Sequence, residues 1–219
     1  AESADGKIKK VALELASYAK KVAASMGTSV TAVTINNSDN SALAAYGVDK
    51  VLNVSNDKLN NFSAKAYTDV IVQAAKKEGA QIILVSSSTD SIYLAPLVAV
   101  ALEAGYASNV VELPVSTSPF QVKRTAFSNK AFNFTEISTP IKVLGIAKNS
   151  FGLIEHSAPL NEEAFTPTLN DADFGVKVES VEKVSGKVTI ADAEIVVSAG
   201  RGMKGPENWG MIEELASVL

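Results

Sequence analysis

A glycine-rich turn near the carboxyl end carries the strongest chemical signal in the sequence. Its residues fit the spacing G-x-G-x-x-G: Gly200-Arg201-Gly202-Met203-Lys204-Gly205. The turn follows an apolar run and precedes a helical pattern beginning near Pro206, and glycines in such a setting let the backbone approach a phosphate closely. The amino end of the helix adds free N–H groups and a partial positive charge. The pattern predicts a nucleotide site, with a tight strand-to-helix turn that binds nothing as the alternative.

A second candidate is a run of hydroxyl and acidic side chains at residues 86–91, Ser86-Ser87-Ser88-Thr89-Asp90-Ser91. It separates an apolar strand pattern from a helical one, which is where a parallel sheet usually has its ligand crevice. Hydroxyl and N–H groups could hold a phosphate there, but Ser, Thr and Asp are also the preferred helix N-caps. We favour capping because the lysine of a phosphate-binding loop is missing from the run.

Hydrolytic and metal chemistry find little support. The sequence has no cysteine, and His156 is its only histidine. Glu155 and Ser157 are only its neighbours along the chain, whereas catalytic triads are recognised by spatial geometry. We therefore expect a surface histidine, no catalytic residue and no metal site. Trp209 is expected to anchor its helix rather than stack on a cofactor.

Composition narrows the classes further. Apolar residues make up 47%, charged residues 20%, and the net charge is −4, so a core is expected but no basic surface for nucleic acid or anionic lipid. The longest apolar stretch, 92–102, contains Pro96 and is shorter than the roughly 20 residues of a membrane span. The polar first residues do not resemble a secretory signal. We expect a cytoplasmic protein without membrane insertion.

Helical and strand patterns alternate through the first half of the chain. Apolar spacing predicts helices at 7–26, 62–78 and 91–102, with Gly27 and Gly79 ending the first two. A short helix at 41–46 and strands at 29–35, 48–54 and 81–85 lie between them. The alternation predicts an α/β fold with a mainly parallel sheet and flanking helices.

The pattern changes beyond residue 110. Three strand-like runs at 120–127, 131–137 and 142–147 predict an antiparallel extension, 149–173 resembles a loop, and strands are predicted at 176–184 and 193–199. A turn at Ser185-Gly186-Lys187 suggests two domains, 1–186 and 187–219. One strand and one helix cannot bury a core alone, so we expect the second domain to be incomplete. The missing initiator Met and the opening helix without a preceding strand suggest that both ends are cut.

Longer strings identify a family resemblance. The run VVSAGRGMKGPENW at 196–209, with IEELA at 212–216, resembles the start of the FAD domain in electron-transfer flavoprotein alpha subunits. YGVDKVL at 46–52 is similar to that family's Y-G-A-D-K-V segment. Residues 94–105 resemble its L-x-P-R-L-A-A-R-L helix, with Leu97 where an arginine is common. The family's chains begin with a short apolar strand just before the residue that matches Glu2, and they continue beyond the match to Leu219.

The resemblance implies a first α/β domain followed by the first strand and helix of a doubly wound FAD-binding domain. Arg201 would line the flavin, where a permanent cation suits the negative charge of the reduced ring, with an exposed loop cation as the alternative. Gly200 and Gly202 would shape the turn, which completes the predicted cofactor-binding set. AMP is expected in the partner subunit.

The implied function is electron carriage without substrate turnover. With a beta subunit, the chain would take electrons from acyl-CoA-type flavin dehydrogenases and pass them to a quinone oxidoreductase or another acceptor. The location would be the mitochondrial matrix if the source is eukaryotic. Two alternatives stay open: a nicotinamide-dependent oxidoreductase using the glycine-rich turn, and an adenine-nucleotide-binding module using residues 86–91.

Overall fold

The computed structural model describes residues 1–4, 6–176, 178–180, 190, 193 and 195–219. The chain divides into two compact units, Ala1–Lys177 and Val178–Leu219. The predicted boundary at 186 lies outside the described residues. The strands are β1 (Ser3–Ala4), β2 (Lys7–Ile8), β3 (Thr31–Ile35), β4 (Lys50–Val54), β5 (Ile82–Ser86), β6 (Gly105–Val110), β7 (Ser116–Thr117), β8 (Phe120–Ala126), β9 (Ala131–Glu136), β10 (Lys142–Ile146) and β11 (Asn161–Ala164). The α-helices are α1 (Lys10–Met26), α2 (Ala64–Glu78), α3 (Thr89–Ala101) and α4 (Gly210–Val218).

The first two helices end as the sequence predicts. Gly27 and Gly79 adopt left-handed conformations, with φ of 64° and 62°, and their amides bond back to carbonyls of the last turn. Only glycine takes this conformation at little cost, so the two positions fix the lengths of α1 and α2. The predicted short helix is a 3₁₀ helix at Ser41–Ala45.

The larger unit contains two main sheets. One is parallel, with the order β11-β4-β3. In the other, β5, β10 and β6 run parallel, β8 is antiparallel to β6, and β7 and β9 pair with β8. The prediction of a mainly parallel sheet with an antiparallel extension is confirmed, and β8 and β9 form that extension. The run 142–147 was also predicted to belong to the extension, but β10 lies between β5 and β6 and is parallel to both.

Helices cover both faces of these sheets. On one face, Tyr18 and Val22 of α1 pack against Leu144 and Ile146 of β10. On the other, α2 and α3 pack against Val143. Successive residues of β10 thus enter opposite core clusters, which is the alternation expected of a strand covered on both sides.

Strand β11 lies where the sequence predicts a loop. Its residues, Asn161-Glu162-Glu163-Ala164, lack an apolar pattern, and β11 is stabilised by parallel backbone pairing with β4. Side chains of the following segment pack on the same unit, since Phe165, Leu169 and Phe174 contact the cluster around Val70. Backbone pairing at a polar sheet edge leaves no side-chain periodicity to detect.

The second unit differs from its prediction. Of the predicted strand at 193–199, the described residues carry no strand assignment, and the predicted strand at 176–184 lies mostly outside the described part. A strand requires a hydrogen-bonded neighbour, and the described residues of this unit supply none. Two 3₁₀ helices, Arg201–Met203 and Pro206–Asn208, lead into α4.

Candidate functional site

The glycine-rich turn is built from consecutive short hydrogen-bonded turns. The amide of Met203 donates to the carbonyl of Gly200 at 3.1 Å, and the amide of Lys204 donates to Arg201 at 3.1 Å. The Asn208 side-chain amide donates to the Met203 carbonyl at 2.9 Å, which ties the second 3₁₀ helix back to the first. The motif therefore forms an ordered local structure. Asn208 belongs to the family-like string at 196–209, but nothing in that string indicates this role.

Three consecutive backbone donors open this turn. The amides of Gly200, Arg201 and Gly202 find no acceptor among the described residues. A Cβ atom at Gly200 or Gly202 would meet nothing within 4 Å, so open space lies beside both backbones. Free N–H groups at the start of a helical turn favour an anionic oxygen. The donor set thus fits a phosphate or another anionic group.

Arg201 adds a positive charge at the same place. Its side chain is exposed, and it follows the extended residue Gly200. A guanidinium offers donors in a planar fork that matches paired oxygen or nitrogen acceptors. An exposed side chain is compatible with both interpretations, a cofactor contact and a solvated loop cation. The contact of Arg201 with a cofactor therefore stays a prediction.

The backbone strain in the turn is not at a glycine. Lys204 has φ 65° and ψ −61°, while Gly200 and Gly205 have negative φ values of −93° and −153°. Only glycine adopts a positive φ freely, so the glycines of the turn were the more obvious positions for it. Gly205 instead lies against the carboxylate of Glu207, which a side chain at that position would displace.

The helix after the turn leaves its apolar residues uncovered. Met211, Leu215 and Val218 of α4 are 67%, 48% and 78% exposed, and they recur at helical spacing. Trp209, just before α4, is 49% exposed. The prediction that Trp209 anchors the helix against other parts of its domain stays a prediction.

The serine-rich run caps a helix. Ser88 precedes α3, and its hydroxyl accepts the amide of Ser91 at 3.3 Å. The Ser86 hydroxyl donates to the carboxylate of Glu2. Burial raises the pKa of Asp90 and nearby Glu2 raises it further, so two carboxyl groups lie near the run. Capping is the confirmed interpretation, and the acidic surroundings disfavour a phosphate.

His156 is exposed, as predicted. Its backbone amide donates to the Ala45 carbonyl at 2.7 Å, in an isolated bridge beside Tyr46. Within the described residues, His and acidic side chains form no group that could hold a metal ion. The same part of the chain contains no helix with the length and apolar character needed to cross a bilayer.

Comparison with known proteins identifies the family. The family model described as "Electron transfer flavoprotein domain" matches residues 1–174. The chain is 29% identical to the electron transfer flavoprotein subunit alpha of Thermoanaerobacterium thermosaccharolyticum, over all of the chain and 69% of the relative. The corresponding protein of Clostridium acetobutylicum is 28% identical, over all of the chain and 68% of the relative. A probable mitochondrial alpha subunit of Caenorhabditis elegans is 25% identical, with 65% of the relative covered.

These matches agree with the resemblance seen in the sequence motifs. The family model covers most of the chain, and the two bacterial relatives align along its whole length. The chain therefore belongs to the electron transfer flavoprotein family, among its alpha subunits.

Proposed function

We propose that this chain carries electrons on FAD as the alpha half of an alpha–beta heterodimer. The observation that supports this most is the family match over residues 1–174, together with alpha-subunit relatives that align along the whole chain. Electrons would arrive from acyl-CoA-type flavin dehydrogenases and leave to a quinone oxidoreductase or another acceptor. AMP would lie in the beta subunit.

The chain's own contribution to the FAD site is the turn at 200–202. FAD, when bound, supplies the reversible uptake of electrons, and the protein supplies binding and electrostatics. The free amides of Gly200, Arg201 and Gly202 would donate to anionic oxygens, and the open space beside both glycines leaves room for the approach. Arg201 would hold a permanent positive charge beside the part of the ring that gains negative charge. No general acid or base is required of the chain.

The turn must also keep its shape without a ligand. The Asn208 side chain bonds to the Met203 carbonyl, and the Lys204 amide bonds to Arg201. These contacts hold the three donors in one orientation, which lowers the ordering cost of binding. Asn208 is thus proposed as a positioning residue.

The test compares flavin potentials in the purified alpha–beta complex. Arg201→Ala should lower the midpoint potential of the bound flavin, because the reduced, negatively charged ring loses its cation. Arg201→Lys should recover part of the shift, since the charge remains while the planar fork is lost. Lys204→Gln is the matched control and should leave the potential unchanged. If Arg201→Ala and Lys204→Gln behave alike, Arg201 has no place in the site.

The two alternative functions gain no supporting observation. The adenine-nucleotide module depended on residues 86–91, where Ser88 and Ser91 are engaged in capping α3. The nicotinamide-dependent oxidoreductase depended on the G-x-G-x-x-G spacing alone, and the relatives compared above carry the name of an electron transfer flavoprotein subunit. The predicted cytoplasmic or mitochondrial location stays a prediction.

A further inference from the structure

Strand β9 forms the outer edge of the antiparallel extension. Among the described residues its only strand partner is β8, which it meets through consecutive residue pairs without a break in register. All of its residues are exposed except Thr135, which is half-buried. The second edge of β9 therefore has no strand partner in this part of the chain, and its side chains on both faces are accessible.

The backbone groups that point to this open edge belong to the even-numbered residues of β9. The amide of Val115 donates to the carbonyl of Gln121, so the odd-numbered groups of β8 face β7. On the other side of β8, the Phe120 carbonyl accepts the amide of Ile137, so even-numbered groups of β8 and odd-numbered groups of β9 face each other. The residues of β9 whose N–H and C=O groups point outward are Phe132, Phe134 and Glu136.

The same three residues place their side chains on one face of the hairpin, because side chains alternate along a strand. Lys123 of β8 lies opposite Phe134, and its ammonium group is 4.4 Å from the centroid of the Phe132 ring. Phe132 and Phe134 are nevertheless 61% and 58% exposed. The open edge thus combines unpaired backbone groups with two accessible aromatic rings.

Edge strands usually carry features that prevent pairing with another chain, such as charges, prolines or bulges. Strand β11, at the edge of the parallel sheet, contains two glutamates, and Glu163 forms ion pairs with Lys50 and Lys77. Strand β9 has no proline and no bulge, and Glu136 is its only charged residue. A regular aromatic edge of this kind is suited to pairing with a further strand.

The sequence of β9 is complementary to itself. When two β9 strands run antiparallel about a two-fold axis at Phe134, that residue lies opposite its own counterpart, and Phe132 lies opposite the second copy's Glu136. Each outward residue then exchanges both hydrogen bonds with its partner. An axis at Asn133 would instead require the amide of Lys130, which already donates within the turn. The register centred on Phe134 is therefore favoured.

The charges of the hairpin support the same register. Lys130 directly precedes β9, and Glu136 is its last residue. Neither side chain forms an ion pair with another described residue. With the axis at Phe134, Lys130 of each copy lies diagonal to the second copy's Glu136, so an ion pair can form on either side of the axis. The two Phe134 rings meet as a cross-strand aromatic pair, which adds to the stability of the ladder.

We propose that the open edge of β9 binds β9 of a second copy of this chain, antiparallel and centred on Phe134. The two antiparallel extensions would become one continuous sheet with the order β8-β9-β9-β8. This association goes beyond electron carriage by the alpha–beta complex, and it would bring two such complexes together. One strand from each copy makes a small interface, so we expect weak association that depends on concentration.

Single cysteines test the register in the 219-residue chain, which has no cysteine of its own. Phe134→Cys places the two thiols on residues whose Cα atoms would lie about 5.5 Å apart, within the range of a disulfide. Phe132→Cys is the matched control, because its two copies would lie about 14 Å apart. Mild oxidation should link Phe134→Cys into a covalent dimer at least about tenfold faster than Phe132→Cys. Equal rates would overturn the proposal.

Charge exchange tests the two ion pairs. Lys130→Glu alone and Glu136→Lys alone should each weaken self-association by about threefold or more, because like charges then lie diagonally across the axis. A mixture of the two variants restores opposite charges on both sides and should associate as well as the parent. Sedimentation velocity over a range of concentrations measures each case. The proposal fails if the parent stays monomeric throughout, or if the mixture associates no better than the single variants.

Hydrogen exchange shows which amides gain a partner. Raising the concentration of the parent chain should slow exchange at Phe132, Phe134 and Glu136 by about tenfold or more. The amides of Asn133 and Thr135 face β8 and serve as internal controls that should not change. Protection that appears only after the beta subunit is added would assign the edge to that subunit and contradict pairing between copies. None of these measurements depends on flavin, so they are independent of the proposed electron carriage.

Discussion

The carboxylate of Glu14 on α1 accepts a 2.9 Å hydrogen bond from the backbone amide of Phe151, in the loop after β10. It also accepts the amides of Asn149 at 2.9 Å and Gly152 at 3.0 Å, although the side chain is only 5% exposed. One buried carboxylate therefore satisfies three amides of a segment without regular structure. A buried carboxylate needs hydrogen-bond donors, and these three amides supply them, so Glu14 determines the path of this loop.

Glu14→Gln should destabilise the larger unit by about 1.5–3 kcal/mol, the usual contribution of hydrogen bonds to a charged group. Glutamine keeps one oxygen, but its amide group would face at least one of the three backbone donors. Urea unfolding followed by far-UV circular dichroism measures the change.

Glu155→Gln is the matched control for Glu14→Gln. Glu155 is exposed, so its substitution should change stability by less than about 0.5 kcal/mol. If both variants unfold at the same urea concentration as the parent, the three hydrogen bonds of Glu14 contribute nothing measurable.

The lowered pKa of a carboxylate in β11, Glu163, makes the stability of the protein depend on pH. Glu163 lies 2.8 Å from the ammonium groups of both Lys50 and Lys77. Hydrogen bonds from Lys50 and Lys77 lower the pKa of Glu163 from 4.5 to about 2. Because the folded pKa is depressed, the contribution to stability is fully present above pH 4.5 and is lost as the pH falls towards 2.

Glu163→Gln should therefore be slightly less stable than the parent above pH 4.5, and the two should converge near pH 2. The difference should be small, since the groups are partly exposed and screened by water and salt. Thermal unfolding at a series of pH values, repeated at high salt, measures it. A difference that persists at pH 2 would show that Glu163 acts through packing rather than through its charge.

Tyr18 links the core to the loop that follows β6. It is fully buried among the residues of β6 and β10, and its hydroxyl donates to the Glu112 carbonyl at 3.0 Å. Burial raises the pKa of the Tyr18 hydroxyl, so it remains a neutral donor. Tyr18→Phe should cost about 0.5–1.5 kcal/mol, the net value of one hydrogen bond.

Tyr18→Ala provides the contrasting case. Removing the ring should cost about 3–5 kcal/mol, as for other large aromatic side chains in a core. Equal losses in the two variants would assign the whole effect to the hydroxyl and contradict a packing role for the Tyr18 ring. Chemical denaturation of both variants alongside the parent decides between these outcomes.

The sequence predicted elements whose causes are local. Apolar spacing and the glycines at 27 and 79 defined α1 and α2, an apolar run identified β5, and a strand-like run identified β10 but not its parallel direction. It did not predict β11 or the partners of Glu14, because these depend on contacts between residues far apart in the chain. A buried glutamate on a helix looks the same in sequence as an exposed one.

The candidate site shows the same division. The motif, its family and the position of Arg201 came from the sequence, whereas the positive φ at Lys204 and the tie from Asn208 did not. The helical pattern near Pro206 was correct in place, but the turn is 3₁₀ and α4 begins at Gly210. Local sterics decide whether a short helical turn forms i→i+3 or i→i+4 hydrogen bonds, and composition does not show them.

The last prediction concerns the 219-residue chain by itself and FAD. At the turn it offers Arg201 and three amides that find no acceptor in the described part of the chain, while Met211, Leu215 and Val218 of α4 are exposed. Three donors at an exposed turn cannot repay the cost of ordering a large flexible ligand. We expect weak or absent binding, measured by flavin fluorescence during titration and by loss of colour on dialysis. Stoichiometric flavin that survives dialysis would show that the chain holds a far more complete site than the turn at 200–202.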